Sequence, residues 1–254
     1  MLAPASVQEA VDLMTLAFEL AEKYRNPVML CADGMIGQMM EPVEFSSDGR
    51  GEPFEDNEWA LTGKGARPRR VVNSLFLAPE QLHQHNIHLK EKYDRIRANE
   101  TRWEVDDDGG PYDLLLVAFG TMARICKTAI DEVRSEGLRV ALFRPITLNP
   151  YPHDACRAAM DAMPASGAVL TIEMNMGQMV HDVKYAAEGS RAVEFYGTAG
   201  GIVPSPEEVA QKIRHALTSA RTCDGVVPQQ PPTMAMPSAS RPTAAAAKRS
   251  GVSR

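Results

Sequence analysis

From residue 112 to residue 218 the chain repeats one unit: a short apolar run, a glycine- or asparagine-containing loop, then a stretch with helical periodicity. No other feature constrains the fold as much. The apolar runs 113–119, 139–143, 168–172 and 192–195 are strand-length. Helices follow to Glu136, over 153–162, to about residue 187, and from Ser205-Pro206-Glu207-Glu208 onward, where serine is the N-cap and proline is N1. Gly137 sits where a left-handed residue ends a helix. Strands alternating with helices of this length predict a mainly parallel sheet covered on both faces, with right-handed crossovers.

The first hundred residues are less regular. Ser6-Val7-Gln8-Glu9 is a capping box, and Val7, Leu13, Leu16, Ala17 and Leu20 continue it at helical spacing until Asn26-Pro27. Val28 to Cys31 reads as a buried strand, and a loop runs from Met35 to Pro42. Residues 44–75 are rich in Gly, Pro and charge without period, which reads as an excursion. A polar helix spans Pro79 to Asn99 with mixed charges, and Asp106 to Pro111 reads as a domain boundary. Residues 219–254 hold Pro, Ala, Ser and Thr with little to bury, which predicts a disordered tail.

Composition narrows the function classes. A formal net charge of −6, without a gathered basic stripe, argues against nucleic acid. No apolar run approaches the ~20 residues of a spanning helix, and no signal-like core follows Met1, so a cytoplasmic protein is the default. Cys31, Cys126, Cys156 and Cys223 form no CxxC pair, so no iron–sulfur cluster is expected on this chain.

In an open α/β sheet, ligands bind beyond the carboxyl ends of the strands. Those positions hold Asp33-Gly34 with Gln38, Gly120-Thr121 with Arg124, Arg144, Glu173 with Asn175 and Gln178, and Gly197 to Gly201. Glycines let backbone amides approach an anion, and arginine clamps a carboxylate or phosphate. Plain turn chemistry is the competing reading for any single loop. Asp33-Gly34 with Asn57 partly matches a thiamine-diphosphate Mg²⁺ motif, but the first glycine is missing and Asn57 lies in an irregular acidic stretch. His83, His85 and His88 do not converge on one helix face, so a solvated helix is preferred over a metal site.

The ordered series Asn26-Pro-Val-Met-Leu, Gly37-Gln-Met-Met-Glu-Pro-Val43, Val72-Asn-Ser-Leu-Phe76, Gly120-Thr-Met-Ala-Arg-Ile-Cys-Lys127, Phe143-Arg-Pro-Ile-Thr147, Glu173-Met-Asn-Met-Gly-Gln-Met179 and Val193-Glu-Phe-Tyr-Gly197 resembles the alpha subunit of 2-oxoacid:ferredoxin oxidoreductases, with the 2-ketoisovalerate (3-methyl-2-oxobutanoate) type as the nearest branch. The likeness runs from about Leu2 to Leu217. It implies an α/β chain in four parts: residues 1–43 as the C-terminal remnant of a thiamine-diphosphate-binding, pyrimidine-type domain; 44–111 as a linker with a polar helix; 112–218 as a transketolase-C-terminal-like domain; and 219–254 as the tail.

The resemblance also implies an activity. Such enzymes oxidatively decarboxylate a 2-oxoacid to an acyl-CoA and pass electrons to ferredoxin. A beta subunit is expected to hold thiamine diphosphate and Mg²⁺, and a small subunit the iron–sulfur clusters. In the family, a long segment precedes the stretch matching Leu2 to Ser6 and supplies the glutamate that activates the cofactor. No residue here takes that role, so the chain reads as N-terminally truncated and inactive alone. A 2-oxoglutarate or pyruvate specificity, a non-catalytic assembly module, and a free-standing nucleotide-binding protein are the competing readings. The last lacks a GxGxxG after its first strand. Gly120, Thr121, Arg124, Arg144, Glu173, Asn175 and Gln178 are the expected CoA, substrate or interface residues. Asp33, Gly34 and Gln38 are expected near the cofactor.

Overall fold

The computed structural model describes residues 1–45 and 59–222, without the side chains of 220–222. Asn57 and nearly all of the expected tail lie outside the described residues. Six helices and five strands follow one another: α1 (Val7–Tyr24), α2 (Pro79–Glu100), β1 (Trp103–Asp106), β2 (Leu114–Val117), α3 (Gly120–Ser135), β3 (Val140–Pro145), α4 (His153–Asp161), β4 (Ala168–Glu173), α5 (Met179–Ala187), β5 (Val193–Gly197) and α6 (Pro206–Thr222).

The sheet runs in the order β1-β3-β2-β4-β5. β3, β2, β4 and β5 are parallel, and β1 pairs antiparallel with β3. β2, β3 and β4 are buried at every position because helices cover both faces. Leu114, Leu116, Leu142, Leu170 and Ile172 pack against α3 and α6. Leu115, Val117, Phe143 and Val169 pack against α4 and α5. Each such side chain contributes about 1.5–3 kcal/mol of burial, so this three-layer core dominates stability.

α3 shows how sequence sets element ends. Its apolar positions Met122, Cys126, Ile130 and Val133 recur on one face. It stops where Gly137, at φ 85°, lets the amides of Gly137 and Leu138 reach the carbonyls of Arg134 and Val133.

Two sequence expectations differ from the structure. Val28 to Cys31 is not a buried strand. It touches the N-terminal segment through a Leu2–Leu30 bridge, and Met29 is 58 % exposed. Among the described residues it has a bridging neighbour on one side only, so a ladder cannot propagate. The other difference is β1, which completes the sheet from inside the stretch expected to be linker. The N-terminal segment joins the α/β core through Leu2, which is 1 % exposed. It bridges Leu30 and Thr147, and a small core of Leu13, Ala17, Leu20 and Ile146 packs around it.

Candidate functional site

The strand order reverses beside β2, so the crevice at the carboxyl ends of β2 and β4 is the favoured ligand position. Asp33 reaches into that neighbourhood. Its Oδ2 accepts the Thr121 amide at 2.8 Å and its Oδ1 the Thr121 hydroxyl at 2.7 Å. Oδ1 also accepts the amides of Met35 and Ile36 at 3.0 and 3.1 Å. Asp33 thus caps α3 from a distant loop, where Phe119 supplies no side-chain cap of its own. Gly120, at φ 61°, is required there, because a Cβ would lie 2.8 Å from Asp33 Oδ2.

Beside this contact a cleft of about 480 Å³ opens between the start of α1 and α3, lined by Ser6, Glu9, Glu41, Arg124, Lys127 and Arg144 among others. Arg144 is 7 % exposed. Its guanidinium grips Glu9 with bonds of 2.9–3.1 Å and Glu104 at 2.7–2.8 Å. Burial pulls its pKa down, but Glu9 and Glu104 outweigh that and raise it. Burial alone would raise Glu104, yet bonds from Lys127 and Arg144 hold it below the usual carboxylate range. Glu9 also accepts the Ala5 amide at 2.7 Å while Ser6 Oγ accepts the Glu9 amide. The expected capping box is present, with the glutamate reaching one residue further back.

Arg124 pairs with Glu41 at 2.7 Å, and the Glu41 carboxyl is lowered first by that contact and then by the Val7 amide. Every cation of the cleft therefore has a carboxylate partner. The Arg124 side chain is 38 % exposed against 8 % for Arg144, so of the two guanidiniums Arg124 is the one open to solvent, and Glu41 already holds it.

Glu173, Asn175 and Gln178 come together elsewhere. Glu173, 1 % exposed, accepts the amides of Met179 and Val180 at 2.9 Å, the Gln178 amide at 3.3 Å and the Asn175 side-chain amide at 2.9 Å. A buried carboxylate on the α5 N-terminus satisfies orphan helix donors. Gly34 and Gln38 lie exposed on the loop that Asp33 anchors; the Gln38 amide donates to Met35 O at 3.1 Å. The expected edge residues therefore divide into an Asp33–Gly120–Thr121 contact, an arginine–carboxylate cleft and a Glu173 cap.

Sequence reasoning missed Glu9, Glu41, Glu104 and Lys127 as cleft members. It also missed a groove of about 700 Å³ walled by Trp103, Tyr151, His153 and Tyr185, where His153 Nε2 lies 3.2 Å from Asp182. The only available signal was the opposite-charge census, which carries no pairing information. His85 stacks on Phe76 rather than joining His83 and His88. Among the described residues no His/Cys/Asp/Glu group could hold a metal ion, and the Asp33 oxygens are already engaged. The donor set seen here does not fit a diphosphate–metal site.

The family described as pyruvate flavodoxin/ferredoxin oxidoreductase, thiamine diphosphate-binding, matches residues 1–104. The family described as pyruvate:ferredoxin oxidoreductase core domain II matches residues 113–209. The ketoisovalerate oxidoreductase subunit VorB of Methanothermobacter thermautotrophicus is 41 % identical over 216 residues, covering 84 % of this chain and 59 % of that protein. The 2-oxoglutarate synthase subunit KorA of the same organism is 30 % identical over 239 residues, covering 84 % of this chain and 62 % of that protein. The chain thus spans about three-fifths of the length of these curated relatives. A solved 2-oxoglutarate:ferredoxin oxidoreductase from Magnetococcus marinus, with 2-oxoglutarate, coenzyme A and succinyl-CoA bound, shares the fold at a TM-score of 0.65 and 18 % identity, over 85 % of this chain and 42 % of that one.

Proposed function

This chain belongs to the family of 2-oxoacid:ferredoxin oxidoreductase alpha subunits, and from that premise we propose that it serves in the oxidative decarboxylation of a branched-chain 2-oxoacid to an acyl-CoA, with electrons leaving to ferredoxin. The observation that carries the branched-chain reading is the 41 % identity to the ketoisovalerate subunit, against 30 % to the 2-oxoglutarate subunit.

The division of labour follows from the residues present. Thiamine diphosphate, when bound, supplies the carbanion chemistry of decarboxylation; its Mg²⁺ and phosphates are assigned to a beta subunit, because the donor set described here does not fit them. Iron–sulfur clusters are assigned to a small subunit, in keeping with a chain that lacks CxxC pairs. Residues 1–43 act as the end of the pyrimidine-type domain, and 112–218 as a scaffold that holds loop 33–40 through Asp33 and Thr121. Arg124 is the arginine we assign to a CoA phosphate or a carboxylate across a subunit interface. Arg144 positions Glu9 and the start of α1. The chain alone is inactive, and the assembly works in the cytoplasm.

The test is reconstitution with the beta and cluster-bearing subunits, followed by viologen reduction with 3-methyl-2-oxobutanoate, 2-oxoglutarate and pyruvate in turn. A preference for the branched substrate supports the proposal, as does no turnover by the chain alone with thiamine diphosphate and CoA. A preference for 2-oxoglutarate or pyruvate, or turnover by the isolated chain, overturns the corresponding part. One variant tests the cleft: Arg124→Ala is expected to raise the Michaelis constant for CoA or to weaken assembly, and unchanged values in both would remove Arg124 from the site.

A further inference from the structure

The groove of about 700 Å³ at the start of α4 is walled by aromatic rings that the proposed activity does not use. β1 supplies the first of them. Glu104 points toward α3, where Lys127 and Arg144 hold its carboxylate, so strand alternation turns Trp103 to the opposite face of the sheet. There Trp103 stays 45 % exposed. The loop after β3 and the helix α5 supply the others. His153, the first residue of α4, tilts against Tyr151 at a centroid distance of 5.0 Å and meets Tyr185 edge-on at 4.9 Å. Tyr151 is buried, and Tyr185 is 66 % exposed. His153 Nε2 lies 3.2 Å from Asp182 Oδ1, so the ring that joins the two tyrosines is held in place.

Charge decides what such walls accept. Asp94, Asp154 and Asp182 stand around the rings against one guanidinium, Arg97. Arg97 already lies 3.4 Å from Asp94. Asp154 is exposed and, among the described residues, makes no hydrogen bond or ion pair; Arg157 feels its charge but is held by Glu188. Asp154 and Asp182 sit in the first turns of α4 and α5, where the helix dipole alone favours a carboxylate. The dipole accounts for the acids but not for the exposed tryptophan and tyrosine beside them. Exposed π faces next to an unpaired carboxylate suit a cation, because the ring quadrupole attracts it and the carboxylate pairs with it. An anion would face three carboxylates, and an aliphatic group would leave Asp154 unused. The volume falls within the roughly 300–1,000 Å³ of sites for organic ligands.

We propose that this groove binds a guanidinium group, laid against the Trp103 and Tyr185 rings and paired with Asp154. A guanidinium is planar, stacks on aromatic faces and offers a fork that matches a carboxylate, whereas an ammonium is a strongly hydrated point charge. The group belongs either to a free guanidino compound or to an arginine side chain of a peptide, and the groove meets the same chemistry in both. The inference goes beyond the proposed activity and does not rest on it, because it is read from binding alone.

The experiment uses the fluorescence of Trp103. Trp59 and Trp103 are the two tryptophans of the 254-residue chain, so Trp59→Phe leaves Trp103 as the single reporter. That protein is titrated with N-acetyl-argininamide, with the tripeptide Gly-Arg-Gly, and with the neutral isostere N-acetyl-citrullinamide, at constant ionic strength. The expected result is a saturable change with both arginine probes and none with the citrulline probe. Tighter binding of the tripeptide assigns the groove to a peptide side chain, and equal binding to a free guanidino compound. Tyr185→Ala and Asp154→Asn, both at exposed positions, should each weaken binding about threefold to fivefold, with an unchanged circular dichroism spectrum as the check on folding. The proposal is overturned by the absence of a saturable change, by an equal response to the citrulline probe, or by binding that either variant leaves unaltered.

Discussion

Asp33 and Thr121 stand 88 residues apart, and the aspartate accepts both the amide and the hydroxyl of the threonine at 2.7–2.8 Å. One carboxylate thereby caps α3 and anchors the loop that follows residue 31. Asp33→Ala should remove an N-terminal cap and leave the Thr121 amide to water or to nothing. The expected loss is about 1–2 kcal/mol, read as a lower denaturant midpoint. Because the bond joins two regions, proteolysis within 34–45 should also accelerate. Unchanged stability together with unchanged cleavage would show that the contact does not hold in solution.

Gly120 makes a second prediction separable from the first. Alanine there meets a φ of 61° and places its Cβ 2.8 Å from Asp33 Oδ2. The left-handed backbone alone costs about 1–2 kcal/mol, and the close contact adds to it. In an Asp33→Ala background the contact vanishes while the backbone strain stays. Gly120→Ala should therefore destabilise the double variant less than the parent, but still measurably, and a thermodynamic cycle of the four proteins measures the difference. Equal losses in both backgrounds would assign the whole effect to the backbone.

The repeated unit from residue 112 was readable because each central strand is an apolar run and each helix carries its own end signals. Val140 to Phe143 and Gly137 are examples. β1 was not readable. Trp103-Glu104-Val105-Asp106 alternates exposed and half-buried positions over only four residues, and an acidic run follows it. Its place comes from pairing with β3, a tertiary fact. Val28 to Cys31 failed in the opposite sense: strand composition without a ladder to join. Gly120, Arg144 and Glu173 stand at or just beyond the carboxyl ends of β2, β3 and β4, but their partners were hidden. Nothing local joins Glu9 to Arg144, 135 residues away, or marks Glu173 as a helix cap rather than a ligand contact. Charges advertise that they need partners; only the fold assigns them.

Arg144 is expected to be the most sensitive of the named edge residues. It holds Glu9 through three nitrogen–oxygen pairs and Glu104 through two more. Arg144→Ala should cost about 1–3 kcal/mol, because Glu9 and Glu104 lose the guanidinium and keep only the Ala5 amide and Lys127. Arg144→Lys should recover only part, since an ammonium cannot reproduce the planar fork. Equilibrium unfolding of the three proteins checks the order arginine, lysine, alanine. A lysine variant as stable as the parent would show that charge alone suffices.

Glu100 supplies the pH dependence. It is the buried end of α2, with Lys23 at 2.7 Å, the Tyr24 hydroxyl at 2.6 Å and Arg102 at 3.0 Å. Burial alone would raise its pKa, but these donors win and bring it from 4.5 to about 2. A depressed carboxylate stabilises the fold above its unfolded value and loses that contribution as pH falls toward its folded value. The window is therefore pH 4.5 down to about 2. Above it the contribution is on the order of 2–3 kcal/mol. Glu100→Gln keeps the size and some hydrogen bonding but cannot titrate. At neutral pH it should be less stable than the parent, and the gap should narrow as the solution is acidified through that window. Unfolding midpoints of both proteins, taken in parallel from neutral pH to pH 3, measure the convergence. Parallel curves would mean that Lys23, whose side chain is 58 % exposed, and its neighbours leave the folded carboxyl where the unfolded chain has it.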